Sequence, residues 1–543
     1  MSALSRSLAR GSLLARSAAL PLGVTAGLWV AGAWLELVSV LNHDVGWLLV
    51  GTHRLLEGAR LYVEGFVDVN PPGILYWMAP ASLLARASGM PETRAYPLYV
   101  LAWSAASLAL CDRLLRVQLG GSRDLARRWA GAGLAFLFLI LPVASREALM
   151  VHSLGQREHW VALFLLPFAL LGAVRMRGLP VSASLAAVTG ALTGVALCIK
   201  PQYLVAFVAL EGAVLLRRRS LRSLATPEVA LALASGAAYL ASILVFTPAY
   251  LEVALPLALS TYWAYQRSAL ELVSYADLAF LACAALSAFA VRGQAELREL
   301  ALSLLIATAG CYVAFLLGGT DWPYHALPFR SAALAALLCA ALLLPSRRAA
   351  ASPGRLGAGL AGLAAAALTV LVAQALPWGI ARAFHGAQAW KALSVGVWED
   401  EVRRHAPGGA VYALSSALPP AFPLVNYAGV EWSSRFSCLW VLPAVIRAKA
   451  GEGRADLDSV QRVEEVERYL VDAVVADLET RPPDLVLVDT RRVKAGFRGL
   501  PFDFLAYFLR DARFRSIWSA YRSAGALGGF DLYVRAARGT PGG

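Results

Sequence analysis

Two carboxylates bracket a stretch of about thirty residues near the start of the chain, Asn42-His43-Asp44 at one end and Asp68-Val69-Asn70-Pro71-Pro72 at the other. The stretch follows directly on the first long apolar segment, which puts it at a membrane surface. A charged side chain near hydrocarbon costs roughly 2.5 to 3.5 kcal/mol, and such groups face a cavity or a substrate more often than lipid. The chemistry that suits them is proton abstraction. Asp44 is the candidate general base toward an acceptor hydroxyl, its alternative being a cap for the helix it starts. Asp68 precedes a rigid double-proline corner, where a turn or cap role is the alternative.

Three further groups carry polar chemistry. Ser145-Arg146-Glu147 leads to Arg157-Glu158-His159, an acid, a base and an imidazole that can bind a phosphate, orient a sugar hydroxyl or form an interfacial ion pair. Cys198-Ile199-Lys200-Pro201-Gln202 sets a lysine where proline breaks a helix. Only four of the 49 basic residues are lysine, and Lys200 is the only one before residue 391. A cation there stabilises a phosphate leaving group, unless it merely snorkels. Gly318-Gly319-Thr320-Asp321-Trp322-Pro323-Tyr324-His325 is an interfacial Trp-Tyr belt with a histidine in it, and Arg330 lies beyond. Asp44, Asp68, Glu158 and His159 are also donors a divalent ion accepts, so the metal set stays open.

The elements that must position these groups are membrane helices. Of 543 residues, 58% are hydrophobic and 16% charged, with a mean hydropathy of +0.59. The net charge of +13 lies in short clusters between apolar spans and forms no stripe with aromatics, which excludes nucleic acid as a partner. Counting spans of about 20 apolar residues gives segments near 18–41, 96–116, 129–144, 160–174, 181–199, 202–216, 229–248, 276–291, 299–317, 326–344 and 356–377, about eleven in all. Arginine-rich loops alternate between them and read as cytoplasmic. That orientation puts the N-terminus inside and the C-terminus outside. Asp44, Asp68, Glu158, Asp321 and all seven histidines then fall on the external side, and the apolar helix from Pro71-Pro72 to Arg86 is interfacial or re-entrant.

Beyond about residue 378 charge becomes frequent and β-type runs appear at 410–414, 484–489 and 530–535. The fold class expected is a polytopic α-helical membrane protein, residues 1–377, followed by an external soluble α/β domain, residues 378–543. Five of six cysteines lie in or beside spans and only Cys438 lies beyond, so no disulfide framework or zinc spacing is present.

One span, an external loop with an acid near its start, and the corner Pro71-Pro72-Gly73-Ile74-Leu75-Tyr76-Trp77 together resemble the GT-C superfamily of membrane glycosyltransferases. Within it, the chain is most similar to the branch of protein O-mannosyltransferases and lipid A aminoarabinose transferases. The Lys-Pro-Gln turn and the Tyr-His before a late span are similar to bacterial members, and the resemblance spans roughly residues 18–345. It implies an inverting transferase at the outer face of a bacterial inner membrane. The donor is a polyprenyl-phosphate sugar, and the acceptor a glycan, lipid or protein of the envelope. By the same resemblance Asp44 is the catalytic base and Asp68 the second acid; the residues expected to bind the substrate are Arg157, Glu158, His159, Lys200, Gln202, Arg267, Tyr324 and His325. No cofactor is required, a divalent metal being the alternative. The chain departs from the pattern at Asn70, where many members carry lysine, so Lys200, Arg157 or Arg267 must supply the cation. The rival classes are a flippase or transporter of lipid-linked glycans, which calls for polar residues at mid-bilayer, and an inactive scaffold. Glu211 is the main exception to spans otherwise free of charge.

Overall fold

The computed structural model describes residues 3–120, 124–143, 153–343, 359, 395–452 and 460–536. The expected span 356–377 and the Ser145-Arg146-Glu147 segment lie outside the described residues. Each of the other ten expected spans falls on a helix: α1 (Ala3–Val38), α4 (Glu92–Leu119), α5 (Asp124–Leu139), α6 (Arg157–Arg177), α7 (Ala183–Ile199), α8 (Leu204–Arg218), α9 (Pro227–Phe246), α12 (Tyr275–Ala290), α13 (Ala295–Gly318) and α14 (Leu327–Leu343). The helices α2 (His43–Leu56), α3 (Gly73–Ser88), α10 (Leu255–Thr261) and α11 (Ala269–Leu272) complete the order to residue 343. Six helical segments among the described residues are long and apolar enough to cross a membrane, and α7 and α12 are shorter apolar helices.

Packing divides the chain into two units, the first Met1–Ser39, Tyr96–Leu240 and Ser268–Ala387, the second Val40–Ala95, Ala241–Arg267 and Gln388–Gly543. A boundary at 377/378 follows the change in composition. The packing instead gathers two earlier segments with the C-terminal one.

The first unit is organised around α6, whose Trp160, Phe164 and Phe168 are buried along with nearly every other side chain of the helix. Lipid offers no hydrophobic drive between helices, so close approach comes from small residues. A Cβ on Gly310 of α13 would lie 2.6 Å from the Cα of Ala206 on α8, a contact only glycine permits. Toward the arginine-rich loops, carboxylates answer the cations. Arg175 pairs with Glu211 and, at 2.8 Å, with Glu228, while Arg298 meets Glu299 at 3.0 Å. Glu211 is thus one member of an arginine-carboxylate cluster.

In the second unit, β1 (Ala410–Leu414), β2 (Glu431–Trp432), β3 (Leu485–Asp489), β4 (Tyr521–Leu527) and β5 (Phe530–Arg535) form one sheet in the order β2-β1-β3-β5-β4. The first three are parallel, β5 runs antiparallel to β3, and β4 to β5. All five positions of β3 are buried, as befits a strand covered on both faces. The helix Val460–Thr480 buries Val463, Val466, Leu470, Val474 and Leu478, the spacing of a one-faced stripe.

The early segment packs onto this domain. Val67 makes a parallel bridge to Phe436, its N–H donating to Arg435 O at 2.7 Å. The buried Arg54 guanidinium donates to the carbonyls of Gly65, Trp432 and Ser434, the last at 2.9 Å, and burial lowers its pKa to about 10. Asn426 Nδ2 donates to Gly46 O at 3.0 Å. Helix α2 is therefore not a bare amphipathic helix resting one face on the bilayer. Nine of its fourteen side chains or glycine positions are buried, because α3 and the helix Ala421–Ala428 both pack on it.

Candidate active site

The acidic segment is built from its caps upward. Asn42, not Asp44, is the N-cap of α2, its Oδ1 accepting the Asp44 N–H at 2.8 Å. Asp44 lies in the first turn, where the helix dipole favours a carboxylate, and capping does not require its side chain. His43 Nε2 lies 3.8 Å from Asp44 Oδ1.

One turn on, Trp47 shares the face of Asp44. Its indole stacks on Phe66 at 4.3 Å between centroids and donates to Asp68 Oδ2 at 2.7 Å. The other oxygen, Asp68 Oδ1, accepts both the backbone N–H and the side-chain Nδ2 of Asn70, each at 2.8 Å. Asp68 thereby ties the start of α2 to the double-proline corner. Tyr62 completes the clamp with a hydrogen bond to Asn70 O at 2.9 Å, its ring against Tyr250 at 5.1 Å and its backbone left-handed (φ 64). A non-glycine residue in that region stores about 1 to 3 kcal/mol, which the surrounding contacts must hold.

Two neighbours report on the charges. Burial lifts the Tyr250 phenol to about 12, and the Asp68 carboxylate adds to the effect. The Cys438 thiol is likewise pushed up to about 12, first by burial, with the charges of Asp68 and Asp44 contributing. One sulfur thus lies within Coulombic reach of both first-loop carboxylates.

The first unit holds a second cluster. Glu158 heads α6 and is buried, with Oε1 3.1 Å from Lys200 Nζ and 3.3 Å from His325 Nε2. Arg157 lies within Coulombic reach and is buried too. Thr320 Oγ1 is 2.7 Å from His325 Nδ1, and Tyr324 packs edge-on to the imidazole at 4.6 Å. With Nε2 protonated toward Glu158, the other nitrogen accepts the threonine hydroxyl. Lys200 is the C-cap of α7, where Pro201 ends the helix as the motif predicts. Gln202 follows, half-buried. Arg175, Arg217 and Arg330 all have carboxylate partners.

His159 departs from expectation. It is fully buried, its Nδ1 accepts the Gly155 N–H at 3.1 Å, and its Nε2 donates to Phe138 O at 2.8 Å. Both ring nitrogens are occupied by backbone, so the side chain locks a turn. Arg267 is exposed and belongs to the second unit, while Lys200 and Arg157 belong to the first. Of the residues considered as donors to a divalent ion, His159 has no lone pair left.

Trp47 was legible as the i+3 neighbour of Asp44. Thr320 lies in the same motif as His325, whereas Tyr250 and Cys438 carried no local signal, since only the fold brings them to residues far off in sequence.

No protein-family model matches the chain, and no curated protein does. Among solved structures, the crystal structure of ArnT from Cupriavidus metallidurans bound to undecaprenyl phosphate is similar, with a TM-score of 0.52 over 96% of this chain and 98% of that one at 14% identity. At such identity the likeness speaks for the fold. The ten helices on expected spans and the small C-terminal sheet thus follow the same overall fold as that structure.

Proposed function

We propose that the protein is an inverting glycosyltransferase of a bacterial inner membrane, moving a sugar from a polyprenyl-phosphate donor to an envelope glycan, lipid or protein at the outer face. The observation that carries this reading is Asp44, a carboxylate in the first turn of α2, whose N-cap is Asn42, on a segment pinned by the Asp68 clamp. The similar fold of a protein bound to undecaprenyl phosphate supports the donor class.

Asp44 takes the proton of the acceptor hydroxyl as its oxygen attacks the anomeric carbon. The bond from that carbon to the phosphate oxygen breaks on the opposite side, so configuration inverts and the polyprenyl phosphate leaves with both bond electrons. The charge that develops on it calls for a cation, the role expected of Lys200 or Arg157. Glu158 holds the Lys200 ammonium and also meets His325, against which Tyr324 packs, with Gln202 in the turn after Lys200. Asp68 positions the segment. No nucleotide enters the reaction, and no step is assigned to a metal.

Glu211, the exception to spans otherwise free of charge, is paired with Arg175. The test offers purified protein a panel of polyprenyl-phosphate sugars with membrane extract and follows transfer by wild type and Asp44→Asn. Transfer by wild type alone is expected. Equal transfer by both removes Asp44 as the base, and movement of labelled lipid without transfer restores the flippase. A reporter fused after Gly408 is expected outside, and a cytoplasmic signal inverts the orientation.

A further inference from the structure

The function above leaves open what the double-proline corner contributes beyond rigidity. Asn70 stands at its entrance, half-buried, and three of its four polar groups are already committed. The backbone N–H and the side-chain Nδ2 both donate to Asp68 Oδ1 at 2.8 Å, and the backbone carbonyl accepts from Tyr62 at 2.9 Å.

The amide orientation follows from this network, since turning it over would aim a carbonyl oxygen at a carboxylate. Asp68 cannot release it cheaply, because its other oxygen is fixed by Trp47 at 2.7 Å. What remains at the corner is Asn70 Oδ1, an acceptor with two lone pairs and no hydrogen bond among the described residues. Its backbone is stiffened by Pro71, and Asp44 and Asp68 both bear on the same buried thiol of Cys438. A fixed acceptor on the clamp that carries the proposed base has a defined appetite. It takes an O–H or N–H and repels a phosphate oxygen.

We infer that Asn70 reads a proton-donating ring substituent of the transferred sugar, a hydroxyl or an ammonium, through its side-chain carbonyl. The inference rests on the glycosyltransferase reading and deepens it. The corner selects the sugar by an acceptor, and the phosphate is bound by other residues. Asp68, Trp47 and Tyr62 are positioning residues for that contact.

The experiment uses the full chain and polyprenyl-phosphate donors in which one ring hydroxyl at a time is replaced by hydrogen or by methoxy, with kcat and KM measured for wild type, Asn70→Ala and Asn70→Lys. Wild type is expected to disfavour one deoxy donor and its methoxy counterpart by about 10- to 100-fold in kcat/KM, the effect of losing a single well-made hydrogen bond. In Asn70→Ala that preference disappears, the intact donor falling to the level of the deoxy one, mainly through KM. Asn70→Lys, which exchanges an acceptor for a donor, loses the preference as well.

The ratio between donors is internal to each preparation, so partial unfolding of a variant does not obscure it. An Asn70→Ala enzyme that slows every donor by the same factor shows a corner that is structural only and overturns the inference. An Asn70→Lys enzyme that gains on every donor alike shows a phosphate position there and also overturns it. A wild type that transfers from no donor in the panel removes the glycosyltransferase reading, and this inference with it.

Discussion

Two carboxylates illustrate two ways of keeping charge inside this protein. Asp68, in the second unit, is answered by neutral donors, an indole N–H and two N–H groups of Asn70. Glu158, in the first, is answered by Lys200 and His325, with Arg157 near. Neutral donors stabilise a carboxylate without cancelling it, so the neighbourhood stays negative and suits proton removal beside an electron-poor sugar carbon. Lys200 and Arg157 are two full cations around one acid and leave a positive remainder, which suits a phosphate that gains charge as it leaves. The same functional group thus prepares opposite chemistry according to the partners the fold supplies.

The largest expected effect falls on the negative side of this contrast. Asp44→Asn lowers kcat by about 100- to 10,000-fold, the usual contribution of a general base, while the melting temperature stays put because Asn42 still caps α2. A matching drop in stability would mean that Asp44 is structural.

On the positive side, Lys200→Met is expected to cost about 100- to 1,000-fold in kcat and, by breaking a buried pair, roughly 3 to 5 kcal/mol of stability. Glu158→Gln combined with Lys200→Met is expected to restore the stability and not the rate. Recovery of both would show that Lys200 served only to neutralise Glu158.

A smaller change probes the neutral donors. Trp47→Phe keeps the stack on Phe66 and removes the indole N–H, for an expected loss of about 1.5 to 3 kcal/mol, the range for a hydrogen bond to a charged group. A double-mutant cycle with Asp68→Asn, read by chemical denaturation, isolates that bond. Additive losses would show that the two side chains are not coupled.

The smallest effect is a pH dependence at the surface of the second unit. His53 has a pKa raised above its ordinary 6.5, chiefly by a hydrogen bond to Glu92 and also by Glu57, whose Oε1 lies 3.0 Å from Nε2. A raised folded-state pKa means that the stabilisation is complete below about pH 6.5 and fades as pH climbs through the folded value. The melting difference between wild type and His53→Gln is therefore expected to shrink from about pH 6 to about pH 8. A difference that grows with pH would reverse the assignment.

Much of this protein could be read along the chain because lipid enforces regularity. A membrane helix satisfies its own backbone, so length and apolarity alone located ten helices. The Pro201 break after Lys200 and the strand at 410–414 were legible for similarly local reasons. His159 was misread because an imidazole beside Arg157 and Glu158 looks like a ligand until Gly155 and Phe138 occupy both of its nitrogens.

The sequence by itself determined the helices, the β-type runs and the residues able to do chemistry, since these follow from periodicity and composition. The tertiary structure alone decided the partners. Arg54 finds carbonyls some 380 residues away, at Trp432 and Ser434, and Glu158 finds Lys200 and His325. A carboxylate's behaviour depends on the charges and donors within a few ångströms of it, and those distances are set by packing between segments with no local sequence relation.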